Sequence, residues 1–175
     1  MPVSQILEVF NKRLGARYGV RLKGGGAEPF YQAPKAAECA LIVFRADYSA
    51  SALHEVAHWC IAGEARRAEV DFGYWYSPDD RDEPAQRAFE SVEVKPQALE
   101  WFFSLACGYP FRVSLDNLSL GQGALDASDF ERRVLGQALQ WQRTEPPARG
   151  AEFFRALAQE FGTALTIAAL RFSPL

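Results

Sequence analysis

The chain is short of several residue types, and each shortage removes a class of protein. Three cysteines stand among its 175 residues, Cys39, Cys60 and Cys107, at irregular spacing and with no CxxC pair. That excludes a disulfide framework or a cysteine-built zinc site and fits a reducing cytoplasm. Long apolar runs are missing too: the best, residues 40–44 and 101–107, fall far short of the roughly 20 residues that span a bilayer. The first 20 residues alternate apolar and polar at helical spacing, so no signal peptide and no membrane association are expected. Neither sign of charge dominates, with 19 basic against 22 acidic side chains and a net charge of −3. General affinity for nucleic acid is therefore not expected. Histidine is scarce as well, with two in the whole chain.

What is present is apolar bulk, 49% hydrophobic and 13% aromatic, enough for one globular domain over residues 1–175. Ile6, Leu7, Phe10 and Leu14 recur at helical spacing, predicting a first helix over residues 4–14 that stops at Gly15. Short strands follow over residues 20–23, closed by the triple glycine 24–26, then 29–32 and, more clearly, 40–44. Asp47, Ser49 and Ser51 are N-cap candidates for a helix running to Ala62, with Gly63 as its C-terminal stop. Residues 70–76 (VDFGYWY) read as β-prone, and 77–84 as a polar loop. A helix resumes near Ala85 and runs towards Cys107, where Pro96 is expected to kink it or to begin a new helix. A strand over 111–117 and helices over 128–141 and 152–162 complete the reading. This order predicts an α+β fold, a small sheet packed by helices, without regular βαβ alternation.

The chemistry sits in His54-Glu55-Val56-Ala57-His58. HExxH on a helix places the two imidazoles on one face, about 40° apart, where they can share a metal. Two residues scattered at random over this length fall four apart in roughly 1% of placements, before Glu is required after the first, so coincidence is a poor explanation. Two imidazoles leave a divalent ion short of ligands, and carboxylates for the third place lie in residues 89–96, FESVEVKP. If that segment is helical, Glu93 borders the apolar stripe of Phe89, Val92, Pro96, Leu99 and Phe103, while Glu90 turns further away. Glu93 is the preferred ligand and Glu90 the alternative, a ranking that a kink at Pro96 could reverse. The ligand set suits two chemistries: Zn²⁺ with Glu55 as general base, as in a peptidase, or non-haem Fe(II) oxygenation. After His58 the chain continues WCIAGEARR, so the HxxGxxH extension of one large peptidase class is absent.

Beyond HExxH, the segment HEVAHWCIAGEARRAEVDFGYWYSPDDRD, then FESVEVKPQALEW and ACGYPF, closely resembles the bacterial elongation factor P hydroxylase family. The resemblance implies a cytoplasmic enzyme that hydroxylates the β-lysylated lysine of elongation factor P, a tRNA-mimicking translation factor, in the last step of its modification. It implies O₂ as co-substrate and Fe(II), with Zn or Ni as ions acquired on isolation, in a two-His, one-carboxylate site. Carried onto this chain, the ligands are His54, His58 and Glu93, or Glu90 in its place, with Glu55 in a proton-handling role. Arg66 and Arg67 are candidates for gripping an acidic partner, and Asp71, Tyr74 and Tyr76 for walling a pocket around a long cationic arm. Lys95 is a candidate for substrate contact. The alternatives are a zinc-dependent hydrolase and a metal-dependent RNA-processing enzyme, the latter disfavoured by the net charge.

Overall fold

The computed structural model describes residues 3–36, 38–73, 83–114 and 127–172. Helix α1, Val3–Phe10, buries Ile6, Val9 and Phe10. It does not stop at Gly15: a π turn over Asn11–Gly15 and the short α2, Ala16–Tyr18, carry it on to Gly19, whose left-handed backbone (φ 62°) ends it. The π turn brings Asn11 to the next strand, where its side chain accepts from Leu22 N (2.8 Å) and donates to Leu22 O (3.0 Å).

Strands β1, Val20–Gly26, β2, Phe30–Gln32, and β3, Ala40–Arg45, form one sheet in the order β1-β3-β2. β1 runs parallel and β2 antiparallel to the central β3. Alternation sends Val20, Leu22, Tyr31, Ala40, Ile42 and Phe44 into the core. The triple glycine is part of β1: a Cβ on Gly24 would lie 2.9 Å from Ala46 O, and one on Gly26 2.6 Å from Glu28 O, so side chains do not fit there.

Helix α3, Ser49–Ile61, follows β3. No side chain caps its start; Ser51 Oγ instead accepts from Arg45 N at 3.0 Å. Gly63 is not a left-handed stop but the extended residue (φ −67°, ψ 171°) that opens α4, Glu64–Arg67. The end of α3 is held by Arg149, which donates to the carbonyls of Trp59, Cys60 and Ala62 and lies 4.8 Å over the Trp59 ring. Residues 70–73 form a 3₁₀ turn, Val70–Gly73, where a strand was expected.

Helix α5, Glu83–Ala106, runs as one element through Pro96, so no new helix begins there. It is the centre of the molecule: every residue from 96 to 104 is buried. Residues 111–114 form no strand. They dock on α5 through side chains instead. Gln97 exchanges two bonds with the Ser114 backbone (2.7 and 2.9 Å), and Phe111 stacks on Trp101 at 5.0 Å. Helices α6, Ala127–Thr144, and α7, Ala148–Glu160, close the fold. Phe10, Trp59, Phe103 and Phe153, from α1, α3, α5 and α7, meet edge to face at 4.9–5.5 Å, each contact contributing about 0.5–1.5 kcal/mol beyond area burial. The architecture is α+β, a small sheet with helices packed on its inner face.

Candidate metal centre

Helix α3 buries Ala52, Leu53, Val56, Ala57, Trp59 and Cys60, which leaves a narrow face carrying His54 and His58 towards α5. Their rings lie 4.7 Å apart at 73°, with the two Nε2 atoms 3.0 Å from each other. Glu93 of α5, 3% exposed, comes between them: Oε2 is 3.3 Å from His54 Nε2 and Oε1 is 3.2 Å from His58 Nε2. One ligand atom from each of the three residues falls within 4.8 Å of the others.

A residue the sequence reading passed over completes the arrangement. Glu100 Oε2 lies 2.9 Å from His54 Nδ1. A carboxylate at that distance holds a proton on Nδ1, so Nε2 is the nitrogen turned to the cluster, and once its own proton is displaced its lone pair joins those of Glu93 and His58. Converging lone pairs need a cation between them, and this donor set fits a divalent metal. Glu100 was legible in principle. It stands seven residues after Glu93, about 20° from it around the helix, and it interrupts the apolar run ALEWFF. A wider pattern was also readable: Gln86, Glu90, Glu93, Gln97, Glu100 and Ser104 recur at intervals of four and three, a polar stripe on a largely buried helix.

The charges answer one another. Burial opposes ionisation of Glu93, but the imidazoles of His58 and His54 outweigh it and hold the carboxyl far below the usual carboxylate range. Burial also opposes protonation of His54, yet Glu93 and Glu100 raise its pKa well above that of a free imidazole. Glu100 moves up, because desolvation exceeds the pull of the His54 hydrogen bond and charge. Glu55, half-buried beside His54, also moves up through burial, with His54 and His58 drawing it back.

The remaining candidates are placed as follows. Glu90 is paired with Arg133 of α6, away from the imidazoles. Asp71 Oδ1 accepts from Tyr31 N at 2.6 Å, and so is occupied within the fold. Arg66 donates to Phe72 O (3.0 Å) and Arg67 to Ala62 O, so both tie down the turn after α3. Lys95 is exposed, about 200° around α5 from Glu93. Tyr74 and Tyr76 lie outside the described residues. Phe72 reaches the centre without having been predicted: its ring stacks on Tyr31 (4.1 Å) and faces His58 (6.4 Å, 12°). It does so from a strained backbone, since Asp71 (φ 47°) and Phe72 (φ 56°) are consecutive left-handed residues.

This cluster sits in a chain whose residues 9–172 match the elongation factor P hydroxylase family. The chain belongs to that family. The elongation factor P lysine hydroxylase of Haemophilus influenzae is 41% identical to it over 162 residues, covering 92% of this chain and 90% of that protein. Among the described residues no helix is long and apolar enough to cross a membrane.

Proposed function

We propose that this member of the elongation factor P hydroxylase family hydroxylates the β-lysylated lysine of elongation factor P in the cytoplasm, with Fe(II) held by His54, His58 and Glu93 and with O₂ as co-substrate. The observation that carries the reading is the His54–His58–Glu93 cluster within a chain matched to that family over residues 9–172. Two imidazoles and one carboxylate leave coordination positions open, the arrangement that suits non-haem Fe(II) and O₂. When bound, the ion supplies the oxidation: one oxygen atom enters a lysine C–H bond, and the other leaves as water with two electrons and two protons from an external reductant.

The protein's own residues do the positioning. Glu100 orients the His54 ring and keeps its proton off the face turned to the cluster. Phe72 faces the His58 ring in a near-parallel arrangement at 6.4 Å. Glu55, next to His54 and half-buried, is placed to take or return a proton beside the ligands. The side chains of His54 and His58 keep 22% and 14% of their surface exposed, so both imidazoles stay partly open to solvent. The test is incubation of β-lysylated elongation factor P with Fe(II)-loaded protein and a reductant, in air and without O₂. A mass gain of one oxygen in air alone supports the reading. Peptide cleavage by Zn²⁺-loaded protein, with no oxygen gain, replaces it with hydrolysis.

A further inference from the structure

The sheet has a second face. Its inner residues, Val20, Leu22, Tyr31, Ala40, Ile42 and Phe44, enter the core shared with the helices. Across the outer face the strand register builds two rows: Lys23, Val43 and Phe30, then Arg21, Leu41 and Gln32, with Arg45 beyond them at the end of β3. Arg21, Lys23 and Arg45 are exposed, and none makes an ion pair among the described residues. Among the described residues no carboxylate belongs to the outward rows of the three strands; Glu28, Glu38 and Asp47 lie in the connections beyond the strand ends. Three unpaired cations on one small sheet contrast with a whole-chain charge of −3. Between them lies apolar surface. Phe30 is 40% exposed and Leu41 partly so, while Val43 is 5% exposed and stands outside the central core cluster.

The face also adjoins the metal centre. Strand β2 is one of the two sheet edges, and while Phe30 points outward, Tyr31 points inward, stacks on Phe72 and through it reaches His58. Between a body seated on the outer face and the histidines stand the edge strand, the Tyr31 side chain and the Phe72 ring.

We propose that this outer face, Arg21, Lys23 and Arg45 around Phe30 and Leu41, docks an acidic surface of the protein substrate and so delivers its modified lysine to the metal centre. The inference rests on the function proposed above. Cations interleaved with aliphatic side chains match a folded acidic protein better than a nucleic-acid backbone, which would call for a longer basic stripe and stacking rings. Exposed cations of this kind act on encounter and affinity, so their effect belongs in KM and in salt dependence rather than in kcat.

The experiment compares metal-loaded wild type with the triple variant Arg21→Glu/Lys23→Glu/Arg45→Glu and with a charge-matched control, Lys12→Glu/Arg132→Glu/Arg155→Glu. Hydroxylation of β-lysylated elongation factor P is followed at several salt concentrations, beside direct binding of that protein and of an RNA hairpin. The expected result is a KM raised on the order of tenfold or more in the sheet variant, with its salt dependence flattened, kcat and metal content retained, and the control unchanged. Phe30→Ala raises KM in the same direction. If wild type hydroxylates the substrate and the sheet variant keeps the same KM and salt slope, or if only RNA binding is lost, the docking inference is overturned while the function stands. If wild type neither binds nor hydroxylates elongation factor P, the function fails and takes the docking inference with it.

Discussion

The bond between Glu100 and His54 Nδ1 (2.9 Å) gives a prediction whose size follows from its surroundings. Glu100 is 8% exposed, so its carboxylate gets little help from water, and its interaction with the imidazole N–H is charge-assisted. Such a bond contributes about 1.5–3 kcal/mol. A carboxylate orienting a ligand histidine is commonly worth about 10- to 100-fold in metal affinity, equivalent to about 1.4–2.7 kcal/mol, and the two routes agree. Glu100→Gln preserves shape and a neutral acceptor, so it should weaken metal binding about tenfold. Glu100→Ala leaves the Nδ1–H unpaired and a void beneath the ring, and should approach about 100-fold. The assay is competition between metal-free protein and a chromophoric chelator for Co²⁺ or Zn²⁺, with circular dichroism to verify folding. If both variants bind metal as tightly as wild type while folded, Glu100 does not orient His54, and the assignment of the Nε2 lone pair to the cluster loses its support.

Other consequences are equally open to measurement. Because the His54 pKa is raised in the folded chain, metal must displace a proton held more tightly than in a free imidazole. Affinity should therefore climb through the neutral range, about tenfold per pH unit for each proton released, as checked by metal titration from pH 6 to 8. In the metal-free protein the same shift stabilises the fold below pH of about 6.5, and that contribution fades as pH rises through the folded value. Arg149→Ala removes the donors to three carbonyls at the end of α3 and the cation over Trp59. A loss of about 2–4 kcal/mol should appear as a thermal midpoint lower by about 5–10 °C. Phe72→Ala should lower metal affinity or alter the absorption spectrum of the Co²⁺-loaded protein, if the ring that faces His58 at 6.4 Å helps to hold that imidazole in place; an unchanged spectrum and affinity refute this role. Iodoacetamide at pH 8 should label Cys39 alone in the native protein, since Cys60 and Cys107 are buried and desolvation pushes Cys107 up to about 12. Mass spectrometry reads the count.

The parts of the fold legible in the sequence are those governed by local periodicity. Strands β1 to β3 and the body of α3 follow from alternation and helical spacing within a few residues. The misreadings share a cause: side chains distant in sequence replaced the local signals. Asn11, bonded to Leu22, lets the first helix pass Gly15. Arg149 and Arg67 satisfy the end of α3, so Gly63 need not adopt a left-handed stop. Gln97 supplies Ser114 with the bonds a neighbouring strand would have given. At the site, His54 and His58 were evident from HExxH, and the ranking of Glu93 over Glu90 followed from its place beside the apolar stripe. Helix α5 continues through Pro96, so Glu90 and Glu93 keep the helical spacing on which that ranking was built. The partner of Glu90 is Arg133, 43 residues away, and no local pattern announces such a pair. Glu100 was missed because it lies inside an apolar run, where a lone carboxylate looks like an interruption rather than part of a buried polar stripe.

The most direct test of the account is intact mass analysis of β-lysylated elongation factor P produced in cells with this protein, with its His54→Ala variant, or with Glu93→Gln. A gain of one oxygen with wild type, absent or nearly so with either variant, is the predicted result. No gain from a folded, metal-loaded wild type would contradict the hydroxylase reading, and a full gain from both variants would contradict the metal centre.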